Sequence, residues 1–208
     1  FLGSIVDKRA ASPEDDLISA IVSDEDPDGD KLTRDEVISF AILLLVAGNE
    51  TTTNLIGNGM LALLNYRDSL NALVADKSLI PAAMEETLRY DSPVQGLVRV
   101  VKQDVELLGQ SLPAGDVVMC MLGAANRDPA RYTDPEIFDI QREETRHLSF
   151  GHGIHFCLGA PLARLEASIA YDSLLTRFSG FSPVKGGLER GGTLLLRGAD
   201  KLIITASR

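Results

Sequence analysis

The stretch Phe150-Gly151-His152-Gly153-Ile154-His155-Phe156-Cys157-Leu158-Gly159 decides the fold of this chain. Its three glycines leave the backbone room to lie against a flat ligand, and a helix-like run over residues 160–178 follows directly. A cysteine just ahead of a helix N-terminus has its thiolate stabilised by the helix dipole. The residues therefore predict a ligand-binding loop that presents an anionic sulfur.

Several chemistries stay open for Cys157 on these residues alone. Zinc could use His152, His155 and Cys157, but the segment lacks the second pair of ligands that zinc sites usually have. A cysteine hydrolase needs a base, for which His147 is the remaining histidine. A buried structural cysteine explains neither the glycines nor the abrupt helix start. Iron in a porphyrin fits best, because it needs one exposed sulfur, nearby amides and small residues.

The composition is that of a globular protein of one large domain or two small ones, with 208 residues, 45% of them hydrophobic and 24% charged. A net charge of −10 argues against nucleic acid as a partner, and the absence of Trp argues against base stacking. The longest apolar run, residues 40–48, is too short to span a membrane. Two distant cysteines form no disulfide framework, so we expect a cytoplasmic protein without a membrane segment.

The first half of the sequence predicts helices. Apolar residues at helical spacing follow Asp15 and Asp16, and the acidic run over residues 23–30 then reads as a solvated turn rather than a calcium loop. Thr33-Arg34-Asp35-Glu36 is a capping box. It predicts a helix of about 45 Å that continues to Asn65.

The middle of that long helix is poor in helix-forming residues. Residues 47–53 include a glycine and three consecutive threonines, which can bond back to preceding carbonyls. Packing alone would not select these residues at a buried centre. We therefore expect a bend or a ligand beside them.

The second half predicts one more helix and small sheets. A helix starts at Pro81 and carries Glu86 and Arg89 at i, i+3, a spacing that by itself favours a surface ion pair. Branched and apolar runs at residues 97–101 and 117–119, and again between 186 and 205, predict strands. The predicted fold is mainly α with small β-sheets at one side, built around the long central helix and the cysteine loop.

At this point the sequence resembles the cytochrome P450 family. The stretch around Cys157 resembles the family's haem-binding signature, Ala47-Gly48-Asn49-Glu50-Thr51-Thr52 its oxygen-activating segment, and Glu86-Thr87-Leu88-Arg89 its Glu-x-x-Arg motif. The motifs occur in the family's order, and their residues resemble those of the soluble bacterial members. The resemblance implies the P450 fold and haem b, iron protoporphyrin IX, as cofactor.

The resemblance also implies roles for single residues. Cys157 is the iron ligand, in a loop whose further haem contacts include Phe150, Gly151 and Gly159. Arg99 and His155 match the residues that hold haem propionates. Thr51 and Glu50 serve proton delivery to dioxygen, while Ala47 and Gly48 line the oxygen side of the haem. Glu86 and Arg89 become a buried structural pair.

The implied activity is that of a haem-thiolate monooxygenase. It inserts one oxygen atom from O2 into a small hydrophobic organic substrate, with electrons from a ferredoxin or flavin reductase. The rivals are a haem-binding or sensor module without turnover and a thiolate-haem peroxygenase or isomerase. The acid and alcohol at Glu50 and Thr51 favour oxygen activation, since neither rival needs that relay.

The sequence departs from the family pattern in two places. It has about half the usual length, so we expect residues 1–208 to be the C-terminal haem-binding portion, with the N-terminal half absent. Ile137 stands where the family often has an arginine that joins the Glu-x-x-Arg pair, and Arg142 is a candidate substitute. We further expect Cys120 to be a buried strand residue and His152 to lie in the loop or at the surface. His147 receives no role.

Overall fold

A computed structural model of the chain describes residues 1–25 and 29–208. Its helices are α1 (Leu2–Ala11), α2 (Leu17–Ser23), α3 (Arg34–Asn65), α4 (Arg67–Ala75), α5 (Ile80–Tyr90), α6 (Leu122–Ala125) and α7 (Ala160–Arg177). Its strands are β1 (Leu97–Val100), β2 (Val105–Leu107), β3 (Gln110–Leu112), β4 (Val117–Cys120), β5 (Gly180–Gly192) and β6 (Arg197–Ser207). The prediction of a mainly helical fold with small sheets is confirmed. The centre of the predicted acidic turn, residues 26–28, lies outside the described residues.

The chain divides into two compact units, Phe1–Glu50 and Thr51–Arg208. In the first unit, Arg34 at the start of α3 donates to both carboxylate oxygens of Asp7 on α1, at 2.6 and 2.9 Å. Arg9 on α1 pairs with Asp16, whose carboxylate also caps α2 by accepting from the amide of Ser19. Ion pairs thus join the short helices of this unit. Helix α1 was not predicted from the sequence.

Helix α3 begins as the capping box predicts. The amide of Thr33 donates to the Glu36 carboxylate at 2.8 Å, and the Glu36 amide donates to the Thr33 hydroxyl at 3.4 Å. The helix continues without interruption through residues 47–53 to Asn65. The prediction of a buried centre is wrong for residues 47–50, which are exposed like the preceding Val46 (68%), whereas Thr51 and Thr52 are half-buried. The reason is that no described residue of the first unit covers these side chains.

The second unit has a continuous apolar core. Helices α3, α4, α5 and α7 and the β5–β6 sheet contribute to it, with Leu63, Leu73, Met84, Ala167 and Phe181 among the buried residues. Tyr171 on α7 is fully buried, and its hydroxyl donates to the carbonyl of Ile56 on α3 at 2.8 Å. Helix α7 is therefore fixed against the core directly after the cysteine loop.

Antiparallel sheets of two strands each accompany this core in the described part of the chain. β1 pairs with β4, β2 with β3, and β5 with β6. The strands predicted at residues 97–101 and 117–119 are confirmed as β1 and β4, and the last predicted strand set starts earlier, at Gly180. Cys120 ends β4 and is exposed, so the prediction that it is buried is wrong. The cause is that, among the described residues, β1 and β4 form a two-stranded sheet, and most residues of these strands are in contact with solvent.

A buried ion pair on α5 ties a long loop to the core. Arg89 donates from Nε and Nη2 to the Glu86 carboxylate at 2.7 and 2.8 Å, and both side chains are nearly inaccessible, at 1% and 4% exposed. The guanidinium also donates to the carbonyls of Asn126, Pro135 and Ile137 at 2.9–3.0 Å. Every charge is compensated, so the buried pair holds the loop without leaving an unpaired ion.

Arg142 completes this network. Its Nε lies 3.4 Å from the Glu86 carboxylate, and its guanidinium donates to the carbonyls of Thr133, Asp134 and Ile137. Ile137 itself takes part only through its backbone carbonyl. The candidate substitute proposed from the sequence is thus the residue that approaches Glu86.

We predict that Arg89→Met lowers the free energy of unfolding by about 3–5 kcal/mol, because it leaves the Glu86 carboxylate buried with less compensation. Urea unfolding measures this. Lys201→Met is the matched control, since the Lys201–Glu189 pair on the β5–β6 sheet is exposed, and we expect it to cost at most about 1 kcal/mol. Equal losses in the two variants would contradict the structural role of Arg89.

Candidate functional site

The cysteine loop is closed by its own backbone. The amide of Cys157 donates to the carbonyl of Phe150 at 2.9 Å, and the amide of Phe156 donates to the carbonyl of Gly153 at 3.0 Å. Helix α7 starts three residues after Cys157, whose carbonyl accepts from the amide of Ala160 at 3.3 Å. The loop and the helix start therefore form one hydrogen-bonded segment.

Two glycines make this loop possible. Gly151 and Gly153 have φ angles of +74° and +77°, in the left-handed region that favours glycine. A Cβ at Gly153 would meet no atom within 4 Å, and a Cβ at Gly151 would lie 3.7 Å from the carbonyl oxygen of His155. Backbone conformation rather than crowding thus requires glycine at both positions. Gly159 is the N-cap of α7, and a Cβ there would lie 4.0 Å from the Cys157 sulfur.

The surroundings of Cys157 fit a flat apolar ligand that offers one metal position. Cys157 is a free, exposed thiol, and the neighbouring Ile154, Phe156 and Leu158 are exposed too, Ile154 to 97%. Exposed apolar side chains beside a thiol are typical of a surface that a ligand covers when it binds. Within the described ranges, no cluster of three or more His, Cys, Asp or Glu could hold a metal ion, as a zinc site would need. The residues present therefore fit a haem held by a single sulfur.

The expected propionate contacts lie on different elements of the second unit. His155 is exposed at the end of the 3₁₀ turn Gly153–His155, within the loop. Arg99 is exposed on β1, opposite Val118 of β4, and its Nη1 donates to the carbonyl of Val98 at 2.9 Å. The hydrogen-bonded loop thus contains five of the expected site residues, whereas Arg99 lies on β1. The five are Phe150, Gly151, His155, Cys157 and Gly159.

The expected oxygen-side residues all lie on α3. Ala47, Gly48 and Glu50 are exposed residues of the first unit, and a Cβ at Gly48 would meet no atom within 4 Å. Thr51 is half-buried and begins the second unit. The helix therefore presents a carboxylate and a hydroxyl at adjacent positions.

Three residues with no predicted site role form a charged cluster behind the loop. Arg164 on α7 donates from Nε and Nη2 to the two carboxylate oxygens of Glu85 on α5, at 2.6 and 2.9 Å. Nε2 of the buried His147 lies 3.1 Å from the same carboxylate. The guanidinium of Arg164 also covers the ring of Phe150, 4.6 Å from its centroid. One carboxylate thus bonds residues on both sides of the cysteine loop.

Backbone contacts assign the tautomer of His147. Its Nδ1 accepts from the amide of Ser149 at 3.2 Å, which leaves the ring proton at Nε2, facing Glu85. The Ser149 hydroxyl donates to the carbonyl of Leu88 on α5 at 2.6 Å. The approach to the loop is therefore tied to α5 at two points.

The cluster strongly favours the ionised form of Glu85. Partial burial raises the pKa of Glu85, but hydrogen bonds from Arg164 and then His147 outweigh it, and the pKa falls from 4.5 to about 2. The pKa of Arg164 rises, chiefly through its hydrogen bond to Glu85 and partly through the charge of Cys157. The sequence holds no local signal of this cluster, because Glu85 lies 62 positions from His147 and 79 from Arg164.

The described part of the chain holds no helix long and apolar enough to cross a membrane.

Comparisons with known proteins place these features in one family. The family model of cytochrome P450 matches residues 4–189. The chain is 51% identical to cytochrome P450 monooxygenase PikC of Streptomyces venezuelae over 85% of its own length and 43% of that protein's. It is 42% identical to 6-deoxyerythronolide B hydroxylase of Saccharopolyspora erythraea, over 97% of the chain and 50% of the relative. The chain thus spans about half the length of the curated relatives it matches.

Solved structures give the same result. CYP109E1 from Bacillus megaterium in complex with corticosterone superposes with a TM-score of 0.92 and 42% identity. The match covers 100% of this chain and 56% of that one. The fold class expected from the sequence is therefore confirmed.

We predict that the stability difference between the wild-type chain and Glu85→Gln depends on pH. The folded pKa of Glu85 lies below its ordinary value, so its stabilising contribution is complete above about pH 4.5 and is lost as the pH falls toward about 2. Urea unfolding at several pH values measures this difference. The matched control Glu189→Gln removes an exposed carboxylate and should give a small difference throughout. A Glu85→Gln difference that stays constant from about pH 6 to about pH 2 would contradict the assignment.

Proposed function

Because the chain belongs to the cytochrome P450 family, we propose that residues 1–208 form the C-terminal, haem-binding portion of a monooxygenase. The enzyme would insert one oxygen atom from O2 into a small hydrophobic organic substrate. The observation that carries the proposal is the exposed Cys157 thiol, on a loop closed by the Phe150 carbonyl and flanked by exposed apolar side chains. Haem iron is the cofactor that the family implies, and haem b and the Cys157 ligand are parts of this proposal.

The bound haem would supply the redox chemistry, and a thiolate ligand favours O–O cleavage. The chain's own residues would position the haem. Cys157 would hold the metal, with Phe150, Gly151 and Gly159 shaping the loop against the ring. Arg99 and His155 would pair with the propionates, a role supported by their exposed, basic side chains. The resemblance to the family assigns the small residues Ala47 and Gly48 to the oxygen side of the haem.

Thr51 and Glu50 would hold and move the protons that oxygen activation consumes. Their sequence match and their adjacent places on α3 support this role. A hydroxyl both donates and accepts, while a carboxylate accepts protons and can draw them from solvent because Glu50 is exposed. The relay favours a monooxygenase over a sensor module or a peroxygenase, neither of which needs it.

The partners follow from the same family membership. We propose a ferredoxin or a flavin reductase as the electron donor. The corticosterone in one similar structure and the hydroxylase activity named for one relative support an organic substrate. The cytoplasmic location expected from the sequence stays a prediction.

We predict that Cys157→Ser abolishes the thiolate spectrum of the haem-loaded protein. Serine is a much weaker iron ligand than a thiolate, so the Soret band of the reduced, carbon monoxide-bound form should leave the position typical of a thiolate ligand. The matched control is Cys120→Ser, which removes the other exposed thiol and should leave the spectrum unchanged. A Cys157→Ser protein with an unaltered thiolate spectrum, or a wild-type protein that binds no haem, would refute the ligand assignment.

We predict that Thr51→Ala uncouples turnover. NAD(P)H oxidation should continue while product formation falls and peroxide rises, because the hydroxyl that passes protons is gone. Thr51→Ser keeps a hydroxyl and is the matched control. Parallel assays of NAD(P)H, peroxide and product measure the coupling. Fully coupled turnover in Thr51→Ala would remove Thr51 from the relay.

A further inference from the structure

The carboxylate of Glu85 bonds both ends of the cysteine loop. His147 stands before the loop and Arg164 stands after it, in α7, and both contact this one side chain. Glu85 itself is fixed on α5, which packs against α7 in the core. The residues that flank the loop on either side are therefore attached to one side chain of α5.

The link from this carboxylate reaches the sulfur through Phe150. The Arg164 guanidinium lies on the Phe150 ring, and the Phe150 carbonyl accepts the hydrogen bond of the Cys157 amide. The His147 ring contacts the Phe150 ring as well, with 5.8 Å between the centroids. Phe150 is thus held between two groups that Glu85 orients, and its backbone sets the position of Cys157.

The cluster also places a charge beside the cysteine loop, where the Arg164 guanidinium covers the Phe150 ring. Arg164 carries a permanent positive charge, and the carboxylate of Glu85, in bidentate contact with it, opposes the field of that charge. Glu85 is only 25% exposed, so solvent screens this pair less than it screens a surface pair. Without the carboxylate, the full charge of Arg164 would act on the loop.

We propose that Glu85 is a positioning residue for Cys157. It clasps the loop through His147 and Arg164, and it balances the charge that Arg164 presents to the sulfur. The proposal rests on the proposed function, in which that sulfur holds the haem iron. It assigns to Glu85 a role separate from that of the adjacent Glu86, whose carboxylate bonds instead to Arg89, Arg142 and the Asp139 amide.

The clasp can be tested without haem. Hydrogen exchange of the chain should show the Cys157 and Phe156 amides exchanging about tenfold faster in Glu85→Gln, because the loop opens more often. Glu85→Asp keeps the charge and should restore much of the protection. The matched control Glu189→Gln should leave these amides unchanged. Equal exchange in wild type and Glu85→Gln would overturn the clasp.

The charge balance can be tested on the haem-loaded protein by its reduction potential. Glu85→Gln should shift the potential positively, because the unbalanced Arg164 charge stabilises the electron-rich reduced site. Arg164→Gln should shift it negatively, and the double variant should lie between the two. Loss of packing alone would not give opposite signs. Unchanged potentials, or shifts of the same sign, would overturn the charge balance.

Failure of this proposal is distinguishable from failure of the proposed function. An unaltered thiolate spectrum in Cys157→Ser refutes the haem ligand, whatever Glu85→Gln does. Loss of that spectrum in Cys157→Ser, with normal exchange and potential in Glu85→Gln, keeps the ligand and removes the clasp.

Discussion

The buried ion pair between Glu86 and Arg89 is the interaction on which the second unit depends. Arg89 has five donors, and the structure uses them on one carboxylate and three backbone carbonyls. Those carbonyls belong to an irregular segment that has no sheet or helix of its own to satisfy them. A buried charge is tolerated here because it replaces missing secondary structure.

Helix α5 organises the site because the adjacent side chains of Glu85 and Glu86 point in different directions. Successive helix residues are turned by about 100°, so neighbours cannot face the same surface. Glu86 faces the irregular segment that ends near Arg142, and Glu85 faces the cysteine loop and α7. Helix α5 thereby positions both the irregular segment and the cysteine loop.

The sequence predicted the features whose signals are local. The capping box at Thr33 located the start of α3, and the glycines around Cys157 indicated a ligand loop. The i, i+3 spacing of Glu86 and Arg89 predicted an ion pair, but spacing alone favoured the surface, and only the resemblance placed the pair inside.

The features that the sequence did not predict depend on distant partners. Glu85 is separated in the sequence from His147 by 62 positions and from Arg164 by 79, and no local sequence pattern predicts contacts over such separations. The exposure of Val46 and of Cys120 has the same origin, because an apolar residue or a cysteine in a strand does not specify whether another layer will cover it.

The difference between Glu85 and Glu86 follows from their surroundings rather than their chemistry. Glu86 is closed off from water and fully hydrogen-bonded, so any change of its charge would cost the fold itself. Glu85 is partly open, and its partners Arg164 and His147 lie beside the loop rather than in the core. Removing its charge would therefore change the field near Cys157 while the Glu86 network still holds the unit together. The geometry thus supports a division of roles in which Glu86 holds the fold and Glu85 holds the cysteine loop.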